Sequence, residues 1–277
     1  MDKTLIKLYV MIAAAVLLIV LLAPVVLGHT AAWSADVWTR TELAAAGQGL
    51  PLPAEDCAVG KAIFVMDDGW ETQYSVGYPL LSEYGMKGCI AVIPAAVGNT
   101  DYMTYQQLAE IYTGGWDMLN HTYNHEDLTS LNQDSQKAQI SRGYRWLNEH
   151  GFKRGSDVLV FPGGLFNSDT TEEMKALDFR AGRSLKSLWL VGKDCSLENV
   201  EVCNLISGMS FDAMRQTADK AMNNASTVIY VLHRIEPVTD TSGMQIEEKT
   251  LRRLLEYLSK NNGELHVVTM TQFLDSL

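Results

Sequence analysis

Positive charge is scarce in this sequence beside negative charge. Lysine and arginine total 22 against 33 aspartates and glutamates, a formal net charge of -11. Nucleic-acid binding draws its affinity from clustered Lys and Arg set against phosphates. No such cluster is present, so the composition argues against nucleic acid and for a neutral or cationic partner. Low-complexity tracts and repeats of fixed period are also missing, which sets aside disordered tails and solenoids. The four cysteines, Cys57, Cys89, Cys195 and Cys203, form no Cys-x-x-Cys pair that would suggest a zinc knuckle. Their even number leaves bridges open in an oxidising compartment, Cys195 with Cys203 and Cys57 with Cys89. Cys89, inside Gly88-Cys89-Ile90-Ala91-Val92-Ile93, reads equally well as a buried thiol.

Apolar residues are plentiful. They make up 47% of 277 residues, enough for one large domain or a domain with an appendage. From Leu8 to Leu27 the chain carries no charged and almost no polar side chain, and at helical rise this crosses a bilayer core of roughly 30 Å. Lys3 and Lys7 precede the stretch and the next formal charge is Asp36, so the positive-inside rule keeps the N-terminus cytoplasmic and sends the rest outward. The expected location is the cell membrane, single-pass, with the folded part extracytoplasmic. The stretch exceeds the roughly 7–15 apolar residues of a cleavable signal peptide; Ala32 and Ala35 leave cleavage, and a secreted chain, as the alternative. Three parts follow: 1–28 as cytoplasmic stub and transmembrane anchor, 29–60 as a linker rich in Ala, Gly, Pro and Ser, and 61–277 as the folded domain.

Within the domain, apolar runs alternate with amphipathic ones. Strands are expected near Ala62 to Met66, Cys89 to Ile93, Asp117 to Asn120, Val158 to Phe161, Val200 to Ile206, Val228 to Leu232 and Leu265 to Val268. Helices are expected over Thr104 to Tyr112, Ser135 to Glu149, Thr170 to Leu177, Phe211 to Met222 and Glu247 to Leu258, each with apolar residues at helical spacing. Strand and helix in alternation argue for a parallel sheet wound with helices, open or closed into a barrel. In either case the site gathers at the C-terminal ends of the strands.

That rule selects the motifs. Asp67 and Asp68 end the run Ala62-Ile63-Phe64-Val65-Met66 and are followed by Gly69; His121-Thr-Tyr-Asn-His125, Phe161-Pro162-Gly163-Gly164 and Leu232-His233 each close or follow another expected strand. Alone, each has a plainer reading: Asp-Asp-Gly is a good turn, two histidines four apart can sit in any surface loop, and a lone histidine at a strand end needs no task. Together they place two carboxylates and three histidines at one end of a sheet. Two histidines with one carboxylate make a divalent-metal triad, and a third histidine can serve as an acid. His29, His150 and His266 have no such partners in sequence.

The order apolar strand, Asp-Asp-Gly, His-Thr-x-x-His, Pro-Gly-Gly and Leu-His resembles the polysaccharide deacetylases, the chitooligosaccharide deacetylase homology domain or carbohydrate esterase family four, over about Lys61 to Leu277. The resemblance implies an α/β fold, a distorted (β/α) barrel of about seven parallel strands. It also implies removal of N-acetyl groups from amino sugars of a glycan with a divalent metal, commonly zinc. Carried over residue by residue, Asp67 matches the catalytic base, Asp68, His121 and His125 the metal ligands, Gly163 the backbone donor to the oxyanion, and His233 the acid. Two departures stand out. Many members place an arginine just before the Pro-containing turn to hold the aspartate, where Val160-Phe161 stand here, with Arg180 or Arg183 as replacements; the Asp-Trp pair that orients the acid is missing, with Asp194 and Asp212 as candidates. Trp70, Tyr123 and Phe166 lie near the motifs as candidates for stacking on sugar rings.

Overall fold

The computed structural model describes residues 59–191, 195–196, 200–237 and 243–277. The apolar segment from Leu8 to Leu27, the linker up to residue 58 with Cys57, and Asp194 lie outside them. No helix among the described residues is long and apolar enough to cross a membrane.

The sheet is built around β1 (Gly60–Asp68), which is buried along its length apart from its last residue. Its unbroken apolar run is what a strand covered on both faces requires. It pairs in parallel with β2 (Cys89–Val92), β9 (Thr227–Leu232) and β12 (Leu265–Val267). Outward from β2 come β3 (Asp117–Asn120), β4 (Val158–Val160) and β5 (Ala181–Arg183), and β8 (Val200–Asn204) flanks β9, so seven strands from β5 to β8 run parallel in one ladder. β6 (Leu188–Leu190) and β7 (Cys195–Ser196) then continue the edge antiparallel. The sheet is therefore mixed rather than all parallel, and no backbone pairing joins its two ends among the described residues. β10 (Arg234–Glu236) and β11 (Gln245–Glu247) form a separate parallel pair.

Two side-chain contacts show how far the sheet curls. Neighbouring strands lie about 4.8 Å apart, so four ladder steps from β1 to β5 would span about 19 Å in a flat sheet. Arg183 on β5 nevertheless bonds Asp67 on β1. Asn204 on β8, six steps from β5, donates to the carbonyl of Leu185 just beyond β5 at 3.3 Å. The result is a barrel-like sheet, nearly closed.

Strand alternation sorts the core. Ile63 and Val65 face an inner cluster with Ala91, Leu119, Val158, Val160, Ala181, Ile229 and Val231. Ala62, Phe64 and Met66 face outward with Ile90, Val92, Met118 and Tyr230, under helices α1 (Tyr78–Glu83), α2 (Tyr105–Thr113), α3 (Gln133–Glu149), α5 (Phe211–Asn224) and α6 (Glu248–Lys260). α4 (Ser168–Ala176) covers β4 with Met174 against Leu159 and Phe161. Leu251, Leu254, Leu255 and Leu258 make the buried stripe of α6, the spacing of an amphipathic surface helix. Thr104 and Asn167 start α2 and α4 with capping boxes, which satisfy the first free N–H groups. α7 (Met270–Asp275) closes the bottom of the barrel with Met270 and Phe273. There Asp117, fully buried, accepts from Arg154 Nε at 3.1 Å and from the Thr271 N–H at 2.7 Å. Burial pushes the Asp117 carboxyl above its ordinary range.

Cys89 and Cys203 are buried, unbridged thiols, so the bridges offered for them do not form. Cys89 instead sits at the start of β2 and accepts from the Met270 N–H at 3.2 Å, where burial holds its thiol well above the usual range.

Candidate active site

The same inward alternation carries the site. Continuing from Ile63 and Val65 the next inward position on β1 is Asp67; from Ile229 and Val231 it is His233; from Leu119 it is His121; from Ala181 it is Arg183. Each therefore stands one pleat above the apolar interior, at the C-terminal mouth of the barrel. Asp68 would alternate outward, but its backbone takes φ 76, as His125 takes φ 64. Left-handed backbone is uncommon for residues other than glycine and costs of order 1–3 kcal/mol where it persists. Here it turns both side chains toward His121.

Asp68 Oδ1 lies 3.4 Å from His121 Nε2 and 3.5 Å from His125 Nε2. Two donors about 2.1 Å from one tetrahedral ion are about 3.4 Å apart, and one ligand atom from each of these three residues lies within 4.8 Å of the others. His121 Nδ1 meets the Val160 carbonyl at 2.8 Å; donating there fixes the proton on Nδ1 and frees Nε2 as a ligand. Asp68 Oδ2 accepts the Trp70 indole N–H at 2.9 Å, while Oδ1 is buried with no hydrogen-bond partner among the described residues. An orphaned carboxylate oxygen facing two imidazole nitrogens is a donor set that fits a divalent cation. Burial alone would raise the Asp68 carboxyl, but the close approach of His121 and the charges of His121, His233 and His125 outweigh it and bring its pKa to about 2. Burial, with His121 beside it, pulls His125 below its ordinary value. Both shifts favour the unprotonated ligand forms.

Asp67 is held separately. Arg183 Nη2 donates to its Oδ1 at 2.6 Å and its Oδ2 at 2.5 Å, with the arginine side chain fully buried. Of the two arginines offered by the sequence, Arg183 is thus the one at the aspartate; Arg180 pairs with Asp157 and Asp275 at 2.7 and 2.6 Å. His233 Nε2 lies 3.9 Å from Asp67 Oδ2, and its Nδ1 is buried with no partner among the described residues. Asp212 does not reach it, being 76% exposed on the first turn of α5 and 3.7 Å from Arg215. Gly163 takes φ 60, a backbone that suits glycine, and a Cβ there would touch only Leu165 at 4.0 Å.

A cavity of about 350 Å³ is lined by Asp67, Asp68, His121, His125, Gly163 and His233 together with Trp70, Phe161, Leu185, Arg234 and Met244. A second, of about 460 Å³, shares Asp68, Trp70 and His125 and continues past Tyr102, Asn99 and Asn124. Trp70 stacks on Tyr102 with centroids 4.3 Å apart and carries the Arg234 guanidinium on its ring at 4.1 Å. The other two aromatic candidates have different partners. Tyr123 lies beneath the Arg142 guanidinium at 3.7 Å, and Phe166 stacks on Phe161 at 4.5 Å and packs against Trp189. Neither is among the residues lining these two cavities.

Two contributions have no motif to announce them. Trp70 is a hydrogen-bond donor to Asp68 as well as a wall of the cleft. Gln73, fully buried, donates to the carbonyls of Asp67 and His233. A polar residue in a stretch where no element was expected gives no sign of either bond. Trp70, next after Asp-Asp-Gly, was close enough to have been read as a donor.

The comparisons agree with this geometry. Residues 58–182 match the family model described as polysaccharide deacetylase. A poly-beta-1,6-N-acetyl-D-glucosamine N-deacetylase of Staphylococcus aureus (strain MRSA252) is 28% identical over 134 residues, 43% of this chain and 46% of that protein. The chain spans about half the length of the curated relatives it matches. Among solved structures, a family 4 acetyl xylan esterase from Clostridium thermocellum, in complex with a cobalt ion, superposes with TM-score 0.52 at 13% identity, covering 76% of this chain and 89% of that one. The Xyl-CE4 domain of a xylanase from the hindgut metagenome of Trinervitermes trinervoides does so with TM-score 0.52 at 15% identity, covering 78% and 90%. These two show the fold, and the match to the polysaccharide deacetylase model covers residues 58–182 of the 277.

Proposed function

We propose that the chain is a metal-dependent hydrolase that removes N-acetyl groups from the amino sugars of an extracytoplasmic glycan. The observation that carries this reading is the adjacency of an Arg183-held carboxylate, a histidine 3.9 Å from it and an Asp-His-His donor set in one cleft. A divalent cation, commonly zinc in this family, would be held by Asp68, His121 and His125, where it would supply Lewis acidity to an acyl carbonyl and acidify water. The protein's own groups account for the remaining work. Asp67, fixed by two contacts to Arg183 but with lone pairs to spare, takes the proton as water attacks the acetyl carbon. The Gly163 N–H is the matching donor to the developing oxyanion. His233 protonates the departing nitrogen, since an amine must leave neutral. That requirement favours an amide over an O-acetyl ester, whose oxygen leaving group depends less on a donor. An impaired carbohydrate-binding domain would have no use for the Arg183 contact.

Asp68, Trp70 and His125 are shared by both cavities, which suits a chain substrate lying across the triad. The name of the Staphylococcus aureus relative makes poly-β-1,6-N-acetylglucosamine the first substrate to try. The folded domain is proposed to stand outside the cytoplasm on an anchor formed by the segment from Leu8 to Leu27. Zinc content and acetate release are to be measured for the full chain and for His125→Ala and Asp67→Asn. His125→Ala is expected to lose both, and Asp67→Asn to keep most of its zinc while turnover falls by about 10²-fold or more. Equal acetate release from all three would sink the mechanism.

A further inference from the structure

The β1–β9 ladder stops at Met66 and Leu232, one residue short of the base and the acid. At the next position the two strand ends present carbonyls, those of Asp67 and His233, and two acceptors cannot bond each other. Gln73 Nε2 occupies this position, donating to the Asp67 carbonyl at 2.5 Å and to the His233 carbonyl at 3.0 Å. Both N–H groups of one amide are used, and because both partners only accept, the nitrogen rather than the oxygen has to face them.

The segment that brings Gln73 there is itself unusual. Gln73–Gly77 form one turn of π-helix, a rare element that recurs at functional sites. Its start is tied by Thr72 Oγ1, which accepts from the Ile235 N–H at 3.1 Å. Its end is seated through Gly77, where a Cβ would meet Ile235 Cδ1 at 2.7 Å and Met66 Cε at 3.0 Å. The turn is thus registered at both ends against the strand that carries Asp67 and the stretch that follows His233.

Resting on the deacetylase reading for the roles of base and acid, we infer that Gln73 is a positioning residue that sets the separation of Asp67 and His233 by bonding the main-chain carbonyls of both. It touches no reacting atom. Its effect falls on the 3.9 Å between Asp67 Oδ2 and His233 Nε2, and a misplacement of about 1 Å in such an array costs about 10²-fold in rate.

The test uses the zinc-loaded full chain with Gln73→Met, which keeps length but has no donor, and Gln73→Glu, which keeps shape but sets an acceptor against two carbonyls. The expected result for both is a kcat lower by about 10- to 100-fold, with KM within about twofold and zinc content unchanged. The crystal structure of either variant is expected to show the Asp67–His233 separation changed by about 1 Å. A kcat near that of the parent, or a raised KM with kcat intact, overturns the inference, as does an unchanged separation. Gln73→Glu, nearly isosteric, serves if Gln73→Met does not fold. A parent chain that releases no acetate would refute the deacetylase reading, and the separation in the variant structure would still decide the role of Gln73.

Discussion

Replacing Arg183 tests how Asp67, the proposed base, is held. The Arg183 side chain is fully buried and that of Asp67 is 4% exposed, so Arg183→Met leaves a largely buried carboxylate in the barrel mouth without its guanidinium. Breaking a buried ion pair from one side costs about 3–5 kcal/mol. In a domain of this size each kcal/mol shifts Tm by about 2–4 °C, so the expected loss is roughly 6–20 °C. Asp67→Asn, which strands the guanidinium instead, is expected to fall in the same range. The double variant Arg183→Met with Asp67→Asn should regain most of the loss, because removing both members of a buried pair is often neutral. Arg183 Nε and Nη1 have no hydrogen-bond partners among the described residues, which adds to the cost of keeping the pair. The assay is thermal unfolding of the chelator-treated protein, so that metal binding to the native state does not contribute, combined into a double-mutant cycle and run beside acetate release. Stability should return in the double variant and activity should not. Single variants that cost less than about 1 kcal/mol, the scale of an exposed pair, would refute the reasoning, and so would a double variant as unstable as the sum of the two.

Trp70→Phe keeps an aromatic ring against Tyr102 but removes the N–H to Asp68 Oδ2; zinc titration should show affinity falling about 10- to 100-fold, and an unchanged affinity would leave Trp70 as a wall alone. The anchor proposed for the segment from Leu8 to Leu27 predicts that the protein stays in the membrane fraction after an alkaline carbonate wash, whereas release as a shortened soluble chain would favour cleavage.

How much could be read beforehand depended on whether a pattern was local. All seven strands expected from apolar runs are present within a few residues, from β1 to β12, and the five expected helices start and stop close to their predicted ends. β5 was missed because Ala181-Gly182-Arg183 has no apolar run; its burial comes from the neighbours it meets, with Gly182 admitting Phe161 and Met174. β6 and β7, antiparallel and short, fell in the same blind stretch. That Arg183 rather than Arg180 holds Asp67 could not be read either, because only the curl of the sheet brings β5 across to β1. The triad was legible, since its members lie at the ends of strands that the apolar pattern marks. The orientation of Asp68 and His125 was not, because nothing in Asp-Asp-Gly or His-Thr-x-x-His names a left-handed φ. The bridges offered for Cys89 and Cys203 failed for a similar reason: even numbers of cysteines speak to chemistry, and only the packing of Cys89 under α7 speaks to distance.

The inward placement of Asp67, His121, Arg183 and His233 has a consequence for how such sites are recognised and altered. What brings these four together is a shared phase of the pleat, carried by four strands distant in sequence. Dropping one residue inside β1 leaves Asp-Asp-Gly spelled as before but moves Asp67 onto the helix-covered side. There it loses Arg183 and His233 together, since a slip of one position exchanges the two faces of a strand. A chain can therefore display every motif letter and still hold no base beside its acid, and the spacing between a strand's apolar residues and its motif is as much a part of the signature as the motif itself.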